Sequence, residues 1–553
     1  MAPRVSSPLD RRTFLRGAVL TAAAASVGAP LLTACGGGAG SSAAAGPKAA
    51  LPSYIPALKA KPDLVGTAGG IQDGFTRPIT SYYRSVTGEV GTGSDVTAMM
   101  LTYTPPPPAA SGNVYLKALN KRASTNLKVQ VTPAADYPAK FGAVTAGDAL
   151  PDLVQMPLFM NLPHLDELLN SRFADLSDHL SGDKVKKYPN LAGIPTYAWK
   201  AARIRGRIYG IPLPRPLVAW PMLVRQDILT REGLRQPRSA DEFVQLCKDY
   251  TNAKAGRWAL GSDSTFMFNV NWFGQMYGAP MRWALKQDGS LVKDWETDEF
   301  AQAVEFARKL KSAGYFHPDA GAVSVVQVKE QFAQGKILMG MESPSGWPAY
   351  YETYGKTVPG LSVDALVPFA PGGGPAKQYL DTGIYSITAL KKADEDRVEE
   401  LLRVMNFLAA PYGSQEYALI NYGVEGTDHT VDSKGTVTMT DRGTAEKNVA
   451  LYYLTACAPV LTSTNYPHFV EQAYAWQKKV VPGGVSDPTN GLYSETASRV
   501  GSQLTKAMTD SLLGIISGRR SLNDLKPAVT AWRNGGGDKM RAEYEKALAE
   551  DTK

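Results

Sequence analysis

The chain has 553 residues, 44% apolar and 20% charged, with a formal net charge of +7. Residues 1–34 carry four arginines against one aspartate, so the rest of the chain keeps only +4. That is too slight to imply a nucleic-acid partner, and no long basic run supports one. The length is enough for two or three ordinary domains, and the composition is that of a globular body.

The first element is an export signal. Arg4, Arg11, Arg12 and Arg16 form a positive start, and Gly17 to Ala34 carries no charge. This is a secretory layout; Gly28 and Pro30 make a permanent membrane span the weaker reading. Asp10-Arg11-Arg12-Thr13-Phe14-Leu15 resembles a twin-arginine (Tat) export signal. Leu32-Thr33-Ala34-Cys35-Gly36 has the form of a bacterial lipobox, which makes Cys35 the expected lipidation site and its acyl chains a membrane anchor. The alternative is a soluble secreted protein in which Cys35 is incidental. The low-complexity stretch that follows reads as a tether. The expected division is therefore 1–34 export signal and 35–60 lipidated cysteine and flexible tether. The expected location is the extracytoplasmic face of the bacterial cell membrane.

The body alternates strands with helices. Leu127–Val131 and Pro151–Met156 read as strands. Ser239-Ala-Asp-Glu242 matches a capping box ahead of the stripe Phe243, Leu246, Cys247, Tyr250. Phe300, Val304, Ala307 and Leu310 line a second helix that stops at Gly314. Val328 and Phe332 belong to a third, stopped at Gly335 before the apolar strand Ile337–Met341. Val398, Leu401, Met405 and Leu408 mark a fourth, closed by Pro411. This order argues for an α/β body. Glycine and proline cluster at 206–216, 368–375 and 480–491, either as ordinary loops or as segments passing between two lobes. Cys247 reads as a buried thiol; whether it pairs with Cys457 is left open.

Catalytic motifs are missing: no HExxH, GxSxG, Walker loop or GxGxxG opens a helix, and no two of the five histidines have metal-ligand spacing. An acid–base pair of distant carboxylates stays open. Aromatic residues say more. Trp220, Trp272, Trp347 and Tyr493 sit among turn formers and amides, where a sugar ring could stack and find polar partners. Packing under loops is the plainer reading of any one of them.

The chain resembles the extracellular solute-binding lipoproteins of bacterial ABC importers, in the large sugar- and oligosaccharide-binding branch. The resemblance rests on Val224-Arg225-Gln-Asp227-Ile-Leu229 followed by Gly233 to Phe243, on Gly147-Asp148-Ala-Leu-Pro151-Asp152, on Ala333 to Met339, on Glu342-Ser-Pro-Ser-Gly-Trp347, on Asn421 to Thr430, and on the late Ile516 to Leu522 with Trp532. It covers most of residues 90 to 550; the stretch 50–95 is poorly explained by it. Some relatives carry a calcium loop, but the pattern is missing here, so neither metal nor cofactor is expected.

The resemblance implies a two-lobed periplasmic-binding-protein-like α/β fold with a hinge and an interlobe ligand cleft. Lobe 1 would take 61–217 plus 384–455 and lobe 2 would take 218–367 plus 463–553. Crossings would fall near 213–218, at 368–383 and at 455–463. By resemblance, Trp220, Trp272, Trp347 and Tyr493 face the sugar, Gln155 and Met156 meet it from the first lobe, and Glu342 and Asp381 are polar candidates. The implied function is non-enzymatic: a monomeric receptor captures a carbohydrate and delivers it to the ABC permease transmembrane subunits. The competing readings are a secreted carbohydrate-active hydrolase or lyase, a peptide-binding importer lipoprotein, and an adhesion or sensory lipoprotein.

Overall fold

Apolar strands covered on both faces are the pattern of an α/β layer, and the structure builds two of them. This computed structural model describes residues 48–551 except Pro106, Asn161, Pro163 and Thr464; the export signal and Cys35 lie outside the described residues. Nine strands form the two large sheets: β1 (Asp95–Thr102), β2 (Asn126–Pro133), β3 (Leu153–Pro157), β4 (Gly210–Pro214), β5 (Met222–Arg225), β6 (Trp258–Leu260), β7 (Ile337–Met341), β8 (Val363–Ala365) and β9 (Ile384–Leu390). The first sheet runs β2-β1-β3-β9-β4 and the second β8-β5-β7-β6. In the first, β1 is parallel to β2 and β3, while β9 runs antiparallel to β3 and β4. In the second, β6 is parallel to β7, and β5 runs antiparallel to both β7 and β8.

Strand alternation sends side chains to separate cores. Met99 and Leu101 of β1 pack with Val154, Met156 and Ile387 on one face; Val96, Ala98 and Met100 pack with Leu153 on the other. In the second sheet Met222 and Val224 enter one core, and Leu223 enters the opposite one.

The helices that matter for the site are α1 (Leu165–Arg172), α2 (Ala240–Tyr250), α3 (Met267–Tyr277), α4 (Trp347–Tyr354), α5 (Glu395–Leu408), α6 (Pro467–Val480) and α7 (Glu495–Ile516). The cap of α2 forms as its sequence suggests, with Ser239 Oγ accepting from the Glu242 N–H at 3.2 Å. The Glu242 carboxylate reaches one residue further upstream, to the Arg238 N–H at 2.8 Å. Phe243, Leu246, Cys247 and Tyr250 are buried along one stripe. The other expected helices span Asp298–Ser312 and Val325–Ala333, and their stops, Gly314 and Gly335, take φ of 78° and 70°.

The N-terminal segment visits both bodies. Ala49 and Ile55 donate to Gly206 and Ala192 beside the first sheet. Residues 63–75 then lie against α6: Leu64 and Ile71 join the core over the second sheet, and Gln477 donates to Gln72 at 2.8 Å. The chain returns where Tyr83 N–H meets the Gly413 carbonyl at 3.2 Å. The excursion is held by apolar and amide partners on α6 and by parallel pairing of Gly74 and Phe75 with Leu461 and Thr462. Cys247 and Cys457 are both free and buried, in separate surroundings. Burial pushes the Cys247 thiol well up and the Cys457 thiol to about 12, so neither is a reactive thiolate at neutral pH.

Glu400 of α5 ties down the returning segment. Its carboxylate accepts from Thr92 N–H and Oγ1, Ser94 Oγ and Arg397. Burial raises its pKa, but these donors outweigh it and hold the group at about 2 against an ordinary 4.5. A depressed carboxylate contributes stability that is complete above its unfolded pKa and is lost as pH falls toward the folded one. The loss should fall between pH 4.5 and about 2 and reach at most about 3 kcal/mol. Urea unfolding of Glu400→Gln across this range should show lower stability at neutral pH and a flatter acid limb than the parent.

Candidate functional site

The strand ends define one face. Ser386 pairs with Pro157 and Ile384 with Pro214, so the start of β9 lies beside the ends of β3 and β4. β1, parallel to β3, ends on the same edge and continues into Tyr103. In the second sheet Met222 pairs with Met341 and Leu260 with Met339. The start of β5 therefore lies beside the ends of β7 and β6. Seven residues, Arg215 to Pro221, join these edges directly. A second crossing runs from β8 to β9, and a third leaves the first body after Tyr453 to reach Leu461. The outer ends of strands at such a switch are where α/β folds bind ligands.

Two crossings pair with each other. Ala219 N–H donates to the Tyr379 carbonyl at 3.0 Å and Asp381 N–H to the Leu217 carbonyl at 2.6 Å. Arg215 N–H reaches the Gly383 carbonyl at 2.8 Å. Gly383 has φ +73°, and a Cβ there would sit 2.5 Å from the Tyr197 ring and 2.8 Å from Leu217, so only glycine fits.

On the first edge the side chains are aromatic and half open to solvent. Tyr385 and Tyr103 share a hydroxyl contact of 3.0 Å; the Tyr453 ring lies 5.6 Å from Tyr385 and 4.6 Å from Tyr452. The Arg215 guanidinium sits 5.0 Å over the Tyr385 ring. Across the crossing, Trp220 stacks on Phe268 at 3.8 Å, and both line a small recess with Asp263, Asn269 and Met341. One indole face is thus covered by Phe268.

Several charged groups here are reached by solvent yet walled by protein. Glu352 of α4 is exposed, but burial of its surroundings raises its pKa, and its field is felt by Tyr417, Tyr422 and Tyr452 of the other body. Burial holds Lys447 at about 8. Burial also raises Asp263, against the hydrogen bonds from Thr265. Away from the crossings, Asp166 of α1 accepts from Ser498 of α7 at 3.1 Å, and Arg205 pairs with Asp166 at 2.8 Å while lying 4.7 Å over the Tyr493 ring. These contacts bridge the two bodies.

Of the residues named from sequence, Trp220 lies at the facing edges. Asp381 lies on the crossing, accepting from Arg282 at 3.2 Å and from Thr382 N–H at 2.8 Å. Tyr493 belongs to the bridge. The others lie elsewhere. Trp272 of α3 is 1% exposed, enclosed by Phe243 and Phe369. Trp347 is also 1% exposed, packed on Phe469 and Trp476, with Nε1 donating to the Val363 carbonyl at 3.3 Å. Met156 is core. Gln155 is buried and occupied, accepting from Leu101 N–H at 3.0 Å and donating to Ser386 at 3.1 Å. Glu342 is buried and paired with Lys329 at 2.7 Å. All five are enclosed in this arrangement, and the Trp272 Nε1–H is buried without a hydrogen-bond partner among the described residues.

Sequence reading missed Tyr103, Arg215, Phe268, Glu352, Lys447, Tyr452 and Tyr453. The available signal was position: Tyr103 precedes a four-proline run, Arg215 lies between two prolines, and the Tyr452-Tyr453 pair opens the third crossing. A separate cluster, His179 with Glu395 and Glu399, brings its ligand atoms within 4.8 Å of one another, but Glu399 already takes the Lys187 ammonium.

Comparison with known proteins gives the chain a family. Residues 115–424 match the bacterial extracellular solute-binding protein family. The chain belongs to this family. It is a receptor that works outside the cytoplasm and holds its solute without converting it. Among similar proteins, the polygalacturonan/rhamnogalacturonan-binding protein YtcQ of Bacillus subtilis (strain 168) is 24% identical over 479 residues, covering 84% of this chain and 93% of its own. Lipoprotein LipO of the same organism is 22% identical over 488 residues, covering 84% and 94%. The crystal structure of the alginate-binding protein AlgQ2 without calcium ion superposes with a TM-score of 0.61 at 14% identity, covering 84% of this chain and all of that one. No helix among the described residues is long and apolar enough to cross a membrane.

The two kinds of tryptophan should separate in stability. Removing the enclosed Trp347 side chain (Trp347→Ala) should cost about 3–5 kcal/mol in urea unfolding. Trp220→Ala, at a half-open stack, should cost about 1 kcal/mol. Equal costs would contradict the placement of these residues.

Proposed function

We propose that the facing edges capture an oligosaccharide, that the two bodies act as lobes hinged at the paired crossings, and that the loaded receptor is presented to an ABC permease. The observation that carries this is the pair of aromatic walls, Tyr103, Tyr385, Tyr452 and Tyr453 against Trp220 and Phe268, at strand ends joined by crossings. Sugar rings stack their C–H faces on such rings, and phenol hydroxyls and recessed carboxylates meet their hydroxyl groups. Relatives named for binding polygalacturonan, rhamnogalacturonan and alginate support a carbohydrate.

A ligand that touches both walls favours the closed arrangement, because only there are both sets of contacts made. The bridge of Asp166, Ser498, Arg205 and Tyr493 supports such closure, since it joins the bodies away from the hinge. Asp381 acts at the hinge, and a lipid on Cys35 holds the receptor at the membrane.

Calorimetry with oligosaccharides tests the reading. Trp220→Ala and Tyr453→Ala should each weaken binding at least tenfold, since truncating a desolvated aromatic costs on the order of 2 kcal/mol. The sugar should be recovered unchanged after long incubation. Unaltered affinity in both variants would remove the site from this face.

A further inference from the structure

Two arginines are neutralised by carboxylates: Arg205, at the bridge away from the crossings, holds Asp166 at 2.8 Å, and Arg282 holds Asp381 of the second crossing at 3.2 Å. Arg215 is not. Among the described residues no carboxylate pairs with it; its guanidinium stacks on Tyr385 and makes one hydrogen bond, to the Pro214 carbonyl at 3.3 Å. Burial lowers its pKa, and the groups that act against this are the phenols of Tyr453, Tyr385, Tyr452 and Tyr103. Nearby charges do not supply the missing anion. Glu352 and Lys447 act on each other, and Asp263 is engaged by the Thr265 hydroxyl at 2.9 Å.

We infer that Arg215 receives the carboxylate of a uronic acid unit in the captured oligosaccharide. This rests on the sugar-capture reading of the cleft and names the class of sugar. A guanidinium offers a rigid, planar fork that matches a carboxylate with two parallel hydrogen bonds. Closure removes water from the recess and strengthens that pair, whereas a neutral sugar would leave the guanidinium desolvated and unmatched. The same unit can lie on the tyrosine wall, because Tyr385, Tyr103 and Tyr453 surround the guanidinium. A sulfated sugar carries the same sign of charge, so the test includes one.

The experiment is calorimetry of the protein with oligouronates of galacturonate, glucuronate and mannuronate backbones, with their carboxyl-reduced counterparts of equal length, and with a sulfated neutral oligosaccharide. At least one oligouronate should bind ten times or more tighter than its reduced form, and the sulfated sugar should bind more weakly than that oligouronate. Arg215→Gln, checked by thermal unfolding to be folded, should abolish the preference, so that an oligouronate and its reduced form bind alike. The wild-type comparison stands without the variant. Equal binding of acidic and reduced forms, or a preference that survives in Arg215→Gln, overturns the inference and leaves sugar capture intact. Tighter binding of the sulfated sugar overturns the carboxylate assignment. Silence from every sugar overturns both readings.

Discussion

The hydrogen bonds between 217–219 and 379–381 are the constraint on which the site depends. Two strands of chain that leave different sheets are forced side by side, and each carries functional groups on both ends. On the first, Arg215 stands at the five-stranded edge and Trp220 at the four-stranded edge, five residues apart. On the second, Asp381 is followed by Gly383, whose carbonyl takes the Arg215 N–H and whose backbone allows the turn into β9 and Tyr385. The ribbon is itself held in place: Val218, Ala219 and Tyr379 are buried, the Tyr379 N–H donates to Gln275, and its hydroxyl donates to the Ala279 carbonyl.

Much of the fold was legible because its signals are local. Helix α2 declares its start through Ser239 and its buried face through Phe243, Leu246, Cys247 and Tyr250, and those features do not depend on the rest of the molecule. The apolar run at β7 reads as a buried strand for the same reason. The path of residues 63–75 was not legible, because Gln72 and Gln477 meet across 405 positions and nothing local marks either as the other's partner.

The candidate site was legible only in part. Trp220 and Trp272 look alike in sequence, each beside small or polar neighbours, yet one ends at a strand edge and the other points inward from α3 among phenylalanines. Composition around a tryptophan reports the backbone it sits on, not the face its ring takes. The tyrosines were overlooked for the converse reason. Tyr103, Tyr385 and Tyr453 come from three distant segments and become one wall only through the register of β1, β3, β9 and β4. Their rings offer faces for stacking and their hydroxyls offer polar tips, which suits a ligand that is apolar on its ring faces and polar around its rim.

The most direct test of the central claim, that one ligand touches both edges, is amide hydrogen exchange with and without a saturating oligosaccharide. The account predicts slowed exchange on both sides of the crossings: around Tyr103 and 447–453 on one wall, and around 220–222 and 263–268 on the other. Protection restricted to the segments of a single sheet, with the opposite edge exchanging as in the free protein, would contradict it.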